Sequence, residues 1–211
     1  MPTAVETETA APRADGRSDI PTPTSVDPQA VKRAVAALLD ALGVAPGSEV
    51  AENTPRRVAM AFVEMLTPRP FDATMFETGS GQQDLVLVRD VPFRSVCAHH
   101  LLPFVGVAHL GYLPGNRILG VSKFARVIDM FARRLQMQEM LTGQVADWLE
   151  RELGAGGVAV MLTAEHMCMT ARGVHAAGAR MTTTAWRGIL RQDPAARAEF
   201  LSLTWAGGSA R

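Results

Sequence analysis

The chain has 211 residues, enough for one sizeable domain with a small helical extension, and sets 21 Lys and Arg against 21 Asp and Glu. That balance excludes a global field that would draw nucleic acid or an acidic membrane surface, so an anionic ligand must be met by a local group of cations. No apolar run approaches a membrane span and no basic-then-apolar leader opens the sequence, which points to a cytoplasmic chain whose two cysteines stay reduced.

Residues 1–26 are rich in Ala, Thr, Pro, Asp and Glu with almost nothing large and apolar, so a disordered tail is expected. At Asp27-Pro28 an N-cap residue and a helix-opening proline precede Val31, Ala34, Val35, Leu38, Leu39 and Leu42, which predicts a helix ending near Gly43. Thr54-Pro55 repeats the signal ahead of Val58, Phe62, Met65 and Leu66, predicting a second helix with Arg56 and Arg57 in its first turn. These two helices define an N-terminal helical region, residues 27–80, followed by one larger domain over 81–205.

From about Asp84 the apolar period shortens through Leu85, Leu87, Val91, Phe93 and Val96, predicting a strand that leads into Cys97-Ala98-His99-His100. Phe104 to Leu113 is strand-like and Pro114-Gly115-Asn116 supplies a turn. Ser122 is placed to cap a third helix carrying Phe124, Val127, Ile128 and Phe131. A fourth helix carries Met137, Leu141, Val145, Trp148 and Leu149 and stops before the glycines at 154, 156 and 157. Val158 to Thr163 reads as a strand feeding into His166-Met167-Cys168, and Met181 to Trp186 reads as the last strand. The sum is an α+β fold.

The chemistry concentrates where both cysteines sit beside histidines. Thiolate and imidazole hold zinc, and a catalytic zinc takes three protein ligands with a fourth position open. Cys97, His100 and Cys168 supply such a set, leaving His99 and His166 as spare imidazoles able to move protons near neutral pH. A four-ligand structural site that also uses His99 or His166 competes with this reading, as does a simple thiol cross-link between Cys97 and Cys168. His109 and His175 are expected to be ordinary structural or surface residues.

No phosphate-cradling glycine loop occurs, so a phosphate-bearing substrate would need discrete cations. Arg57, Lys123, Arg126 and Arg172 are the candidates, although helix-start cations are often merely solvated. Gln138-Glu139 can cap the fourth helix; alternatively, Glu139 can accept two hydrogen bonds from a guanine edge.

Taken together, Cys97-Ala98-His99-His100-Leu101, Gly111-Tyr112-Leu113-Pro114, Gly120-Val121-Ser122-Lys123, Gln136-Met137-Gln138-Glu139, His166-Met167-Cys168 and Ala171-Arg172-Gly173-Val174 resemble GTP cyclohydrolase I, over about Thr54 to Leu201. The resemblance implies a tunnelling fold (T-fold), in which subunit sheets join into an oligomeric barrel, typically a decamer of two pentamers with sites between subunits. It implies Cys97, His100 and Cys168 as ligands of Zn2+, and His99 and His166 as the proton-transfer pair. Ser122 and Gln138 are implied beside them at the catalytic site, Glu139 as the guanine anchor, and Arg57, Lys123, Arg126 and Arg172 as triphosphate contacts. The implied reaction is hydrolysis of GTP at C8, release of formate and an Amadori-type rearrangement to 7,8-dihydroneopterin triphosphate. Ala98 departs from the motif, which usually has glutamate there. That departure leaves two alternatives: a specialised paralogue with an altered purine substrate, or a nucleotide-binding regulatory oligomer without turnover.

Overall fold

The structure, a computed structural model, describes residues 25–78 and 84–205. The tail expected over 1–26 therefore lies outside the described residues up to position 24, as does the boundary expected near residue 80.

Helix α1 (Pro28–Ala41) starts where the sequence predicts, with the Asp27 carboxylate accepting from the N–H groups of Gln29 and Ala30. Helix α2 (Glu49–Leu66) does not start at Thr54-Pro55. Ser48 is its N-cap, accepting from Ala51 N–H, and Pro55 lies inside the helix. The proline removes one ladder hydrogen bond, but the long α1–α2 contact holds the helix through it. Local punctuation is overridden here by tertiary pairing.

Strands β1 (Met75–Glu77), β2 (Val86–Cys97), β3 (Pro103–Leu113) and β4 (Arg117–Leu119) precede α3 (Val121–Ala132) and the short β5 (Leu135–Gln136). Then come α4 (Gln138–Leu153), β6 (Gly157–His166), α5 (Met167–Thr170), β7 (Met181–Arg187), α6 (Gly188–Gln192) and α7 (Pro194–Trp205). The main sheet has the order β5-β2-β3-β6-β7, antiparallel except for the β2–β5 pair. β1 pairs only with β4, which ties the N-terminal helical region to the rest of the chain.

Alternation along the strands sorts two layers. Phe104, Ala108, Leu110 and Tyr112 of β3, with Val158, Val160 and Leu162 of β6, face Phe124, Val127, Ile128 and Phe131 of α3 and Leu141, Val145 and Leu149 of α4. On the opposite face Ala159 and Met161 pack against Leu190 of α6 and Phe200 of α7, two helices that the sequence reading did not anticipate. The β3–β6 approach is so close at Gly106 that a Cβ there would lie 2.0 Å from the Thr163 carbonyl oxygen, so only glycine fits. β5 covers only Val96 and Cys97 of β2, so among the described residues most of one β2 edge and the outer edge of β7 carry no strand partner.

His109 is buried, and its Nδ1 accepts from the N–H of Asp90, which has φ +56 in the β2 bulge. Burial pushes its pKa below the ordinary 6.5, outweighing the opposing pull of the Asp90 carboxylate. A depressed folded-state pKa means that the unfolded chain takes the proton first as pH falls. The neutral ring therefore contributes stability above about pH 6.5 that is lost as pH drops through the folded value. Denaturant midpoints measured from about pH 7.5 to about pH 5.5 are expected to fall more steeply for the parent chain than for His109→Gln.

Candidate active site

The site is built at one end of the sheet. Cys97 ends β2; its N–H bonds to the Leu102 carbonyl (2.9 Å), and its own carbonyl accepts from Leu101 N–H (2.9 Å) and His100 N–H (3.4 Å). Ala98 N–H donates to the Gln136 carbonyl on β5, fixing the turn from the other side. This tight path puts Leu101 at φ +55, a left-handed backbone that costs a branched residue about 1–3 kcal/mol, and it sets Cys97 Sγ 3.8 Å from His100 Nδ1.

The third donor arrives through sheet register. β3 and β6 pair Phe104 with His166, so Cys168, two residues further on, lands on α5 beside the turn. One ligand atom from each of Cys97, His100 and Cys168 lies within 4.8 Å of the others. A tetrahedral zinc at about 2.3 Å from sulfur and about 2.0 Å from nitrogen needs donors roughly 3.5–3.8 Å apart, so the set fits with a small inward adjustment. Both cysteines are free thiols. Burial and the neighbouring Cys97 thiol raise the Cys168 pKa, and Arg172 opposes them. The Cys168 thiol holds its proton until a cation displaces it.

His166 is fixed from two directions. Its ring stacks on buried Phe104 at 4.5 Å between centroids and 3° between planes, and its Nε2 lies 2.7 Å from Gln138 Oε1. Burial lowers its pKa, with the Glu139 carboxylate pulling the other way. Gln138 is itself buried and does not cap α4 as expected: its amide nitrogen reaches Leu162 O, Met181 O and Thr183 Oγ1 instead. His99 is exposed, its ring edge-on to His100.

Of the remaining candidates, two act on residues of this site within one chain. Glu139 is exposed in the first turn of α4, close enough to act on His166. Arg172 is exposed and acts on Cys168. Ser122 does not cap α3: Gly120 is the N-cap, its N–H donating to the Thr74 carbonyl and the Lys123 N–H to the Gly120 carbonyl, and no side chain bonds there, so Ser122, Lys123 and Arg126 occupy the opening turns of a helix without a side-chain cap. Arg57 lies on α2 in an exposed ion pair with Glu49. Among the described residues, none of these last four bonds to the Cys97–His100–Cys168 group. Sequence reasoning missed Phe104, Thr142 and Thr183. Thr142 stands one helical turn from Gln138 and could have been found by that spacing; Thr183 carries no local signal.

A sequence profile of the family described as GTP cyclohydrolase I matches residues 31–204. GTP cyclohydrolase 1 of Dehalococcoides mccartyi is 46% identical over 182 residues, covering 84% of this chain and 96% of that protein. That of Halalkalibacterium halodurans is 47% identical over 186 residues, covering 85% and 98%. That of Aquifex aeolicus is 44% identical over 179 residues, covering 85% and 97%. With matches over most of both chains, and with Cys97, His100 and Cys168 gathered into one donor group, the chain belongs to the GTP cyclohydrolase I family.

Proposed function

We propose that this chain hydrolyses GTP at C8 in a zinc-dependent reaction that releases formate and yields 7,8-dihydroneopterin triphosphate, the first step of pterin and folate biosynthesis. The observation that carries this reading is the convergence of Cys97, His100 and Cys168 beside an imidazole, His166, whose orientation is fixed by Phe104 and Gln138. Cys97, His100 and Cys168 hold the metal. Bound zinc supplies a Lewis acid that makes water an effective nucleophile at neutral pH.

The chain's own residues do the rest. Glu139 accepts from the paired N–H donors of the guanine edge, which orients C8 toward the donor group. Lys123, Arg126, Arg172 and Arg57 counter the triphosphate, Lys123 and Arg126 from the N-terminal end of α3, where the helix dipole favours an anion. His166 and His99 move protons as the imidazole ring of the substrate opens, with Gln138 holding His166 and Ser122 close to the substrate.

We assign residues 27–80 as a helical extension and 81–205 as a T-fold catalytic domain. The absence, among the described residues, of a bond from Arg57, Ser122, Lys123 or Arg126 to the donor group is compatible with sites completed between subunits, as the family resemblance implies. The open β2 and β7 edges favour sheets joined edge to edge into a barrel, a decamer of two pentamers. A cytoplasmic setting suits reduced metal-binding thiols.

Ala98, exposed in the donor turn, favours a second reading, a paralogue with altered purine preference. Incubating zinc-loaded protein with GTP and related purine nucleotides tests both: formate and a pteridine spectrum appearing together from GTP are expected. Neither appearing with GTP would sink the first reading, and their appearance only with another purine would establish the second.

A further inference from the structure

The hydrogen bonds around Gln138 form a chain whose direction is fixed by groups that can only accept. Thr142 Oγ1 lies 2.6 Å from the Gln138 main-chain carbonyl, so the Thr142 hydroxyl donates there. Its proton is then committed, and the 2.7 Å contact between Thr142 and Thr183 must have the Thr183 hydroxyl as donor. With that proton also committed, Thr183 Oγ1 accepts from the Gln138 side-chain nitrogen at 3.1 Å. The carbonyls of Leu162 (3.1 Å) and Met181 (3.0 Å) accept from the same nitrogen, one amide hydrogen being shared. Reversing the amide would press its oxygen against two carbonyl oxygens in a buried site.

The amide oxygen therefore faces His166 Nε2 at 2.7 Å, and an amide oxygen only accepts. We infer that Thr142 and Thr183, acting through Gln138, lock His166 in the tautomer that carries its proton on Nε2, so that every proton His166 gives or takes passes through Nδ1. Thr142 and Thr183 are positioning residues: neither touches the donor group, and both act by removing the alternative orientation of one amide. The assignment deepens the proton-transfer role given above to His166 and rests on it for its catalytic consequence. The tautomer itself can be read without any reaction.

The test is a ring-nitrogen NMR correlation spectrum of zinc-loaded, full-length protein labelled with 15N at histidine, with the His166 signals identified by their loss in His166→Asn. A pyrrole-type Nε2 and a pyridine-type Nδ1 are expected; the reverse pattern overturns the inference. Gln138→Leu is expected to move both nitrogens toward the averaged values of an unlocked ring, and an unchanged spectrum would remove Gln138 from the role. Should Gln138→Leu fail to fold, the paired variant Thr142→Val with Thr183→Val serves. It is expected to show the same drift and a kcat lowered by roughly tenfold, with KM for GTP within about twofold, and the Ser pair is expected to restore both. Formate release is scored separately. A chain with the Nε2–H form that opens no GTP ring retires the function but keeps the tautomer, whereas GTP opening with an Nδ1–H ring retires the tautomer alone.

Discussion

Cys168→Ala is expected to abolish metal retention, with content after dialysis falling from about one zinc per chain to below about a tenth, and to bring formate release to background. The reason is geometric. Cys97 and His100 sit on one turn and can offer an ion two adjacent donors, but only Cys168, on α5 just after β6, closes the site. Losing one donor of the three leaves a bidentate pair that cannot exclude competing water. The fold should survive, because Cys168 is only half-buried on the short α5, and its neighbours Met167 and Met169 are exposed. Metal analysis together with far-UV circular dichroism checks this. Full metal in a folded Cys168→Ala chain would overturn the ligand assignment.

His166→Ala is expected to give the opposite pattern, with metal retained, the nucleotide still bound and kcat lowered by about 10²–10⁴-fold, the span associated with loss of a positioned proton-transfer group. The substitution also leaves Gln138 Oε1 without its partner and uncovers one face of Phe104, so a stability loss of about 1–3 kcal/mol accompanies it. Because Gln138 is otherwise anchored by Leu162, Met181 and Thr183, the pocket should not collapse. Paired measurements of zinc content, GTP binding and single-turnover formate release separate this variant from Cys168→Ala. A His166→Ala chain with parent activity would remove His166 from the reaction.

What could be read from residue order was whatever repeats at short range. The apolar spacing of α1, α3 and α4 and the alternation in β2, β3 and β6 appear where periodicity places them, and the Cys–His segments announce their chemistry by composition. Short-range signals misled where a longer contact outweighed them. Pro55 looks like a helix start, yet the packing of α2 on α1 carries the helix through it. Ser122 looks like a cap, yet Gly120 turns the chain two residues earlier, its N–H held by the Thr74 carbonyl. The two-residue β5 and the β1–β4 pair are too short to have a period, and α6 and α7 owe their place to Leu190 and Phe200 meeting the back of the sheet. The support of His166 was illegible for a different reason. It joins Phe104, Gln138, Thr142 and Thr183 from three separate elements, and no spacing along the chain encodes that meeting.

The donor set has a bearing on how the molecule is made. Two of its atoms are available as soon as the β2–β3 turn closes, whereas the third follows α3, β5, α4 and β6 and depends on Phe104 finding His166 in register. A chain still being synthesised therefore offers an ion only a weak, two-handed grip, and tight capture waits until β6 has docked. Once seated on the proposed donors, an ion would tie together segments far apart in the chain and close the long loop between Cys97 and Cys168, lowering the entropy of the unfolded chain. On the proposed ligand set, metal loading would therefore follow the docking of β6: a chain with a mispaired central sheet would lack the third donor, and a filled chain would resist reopening at this end of the sheet.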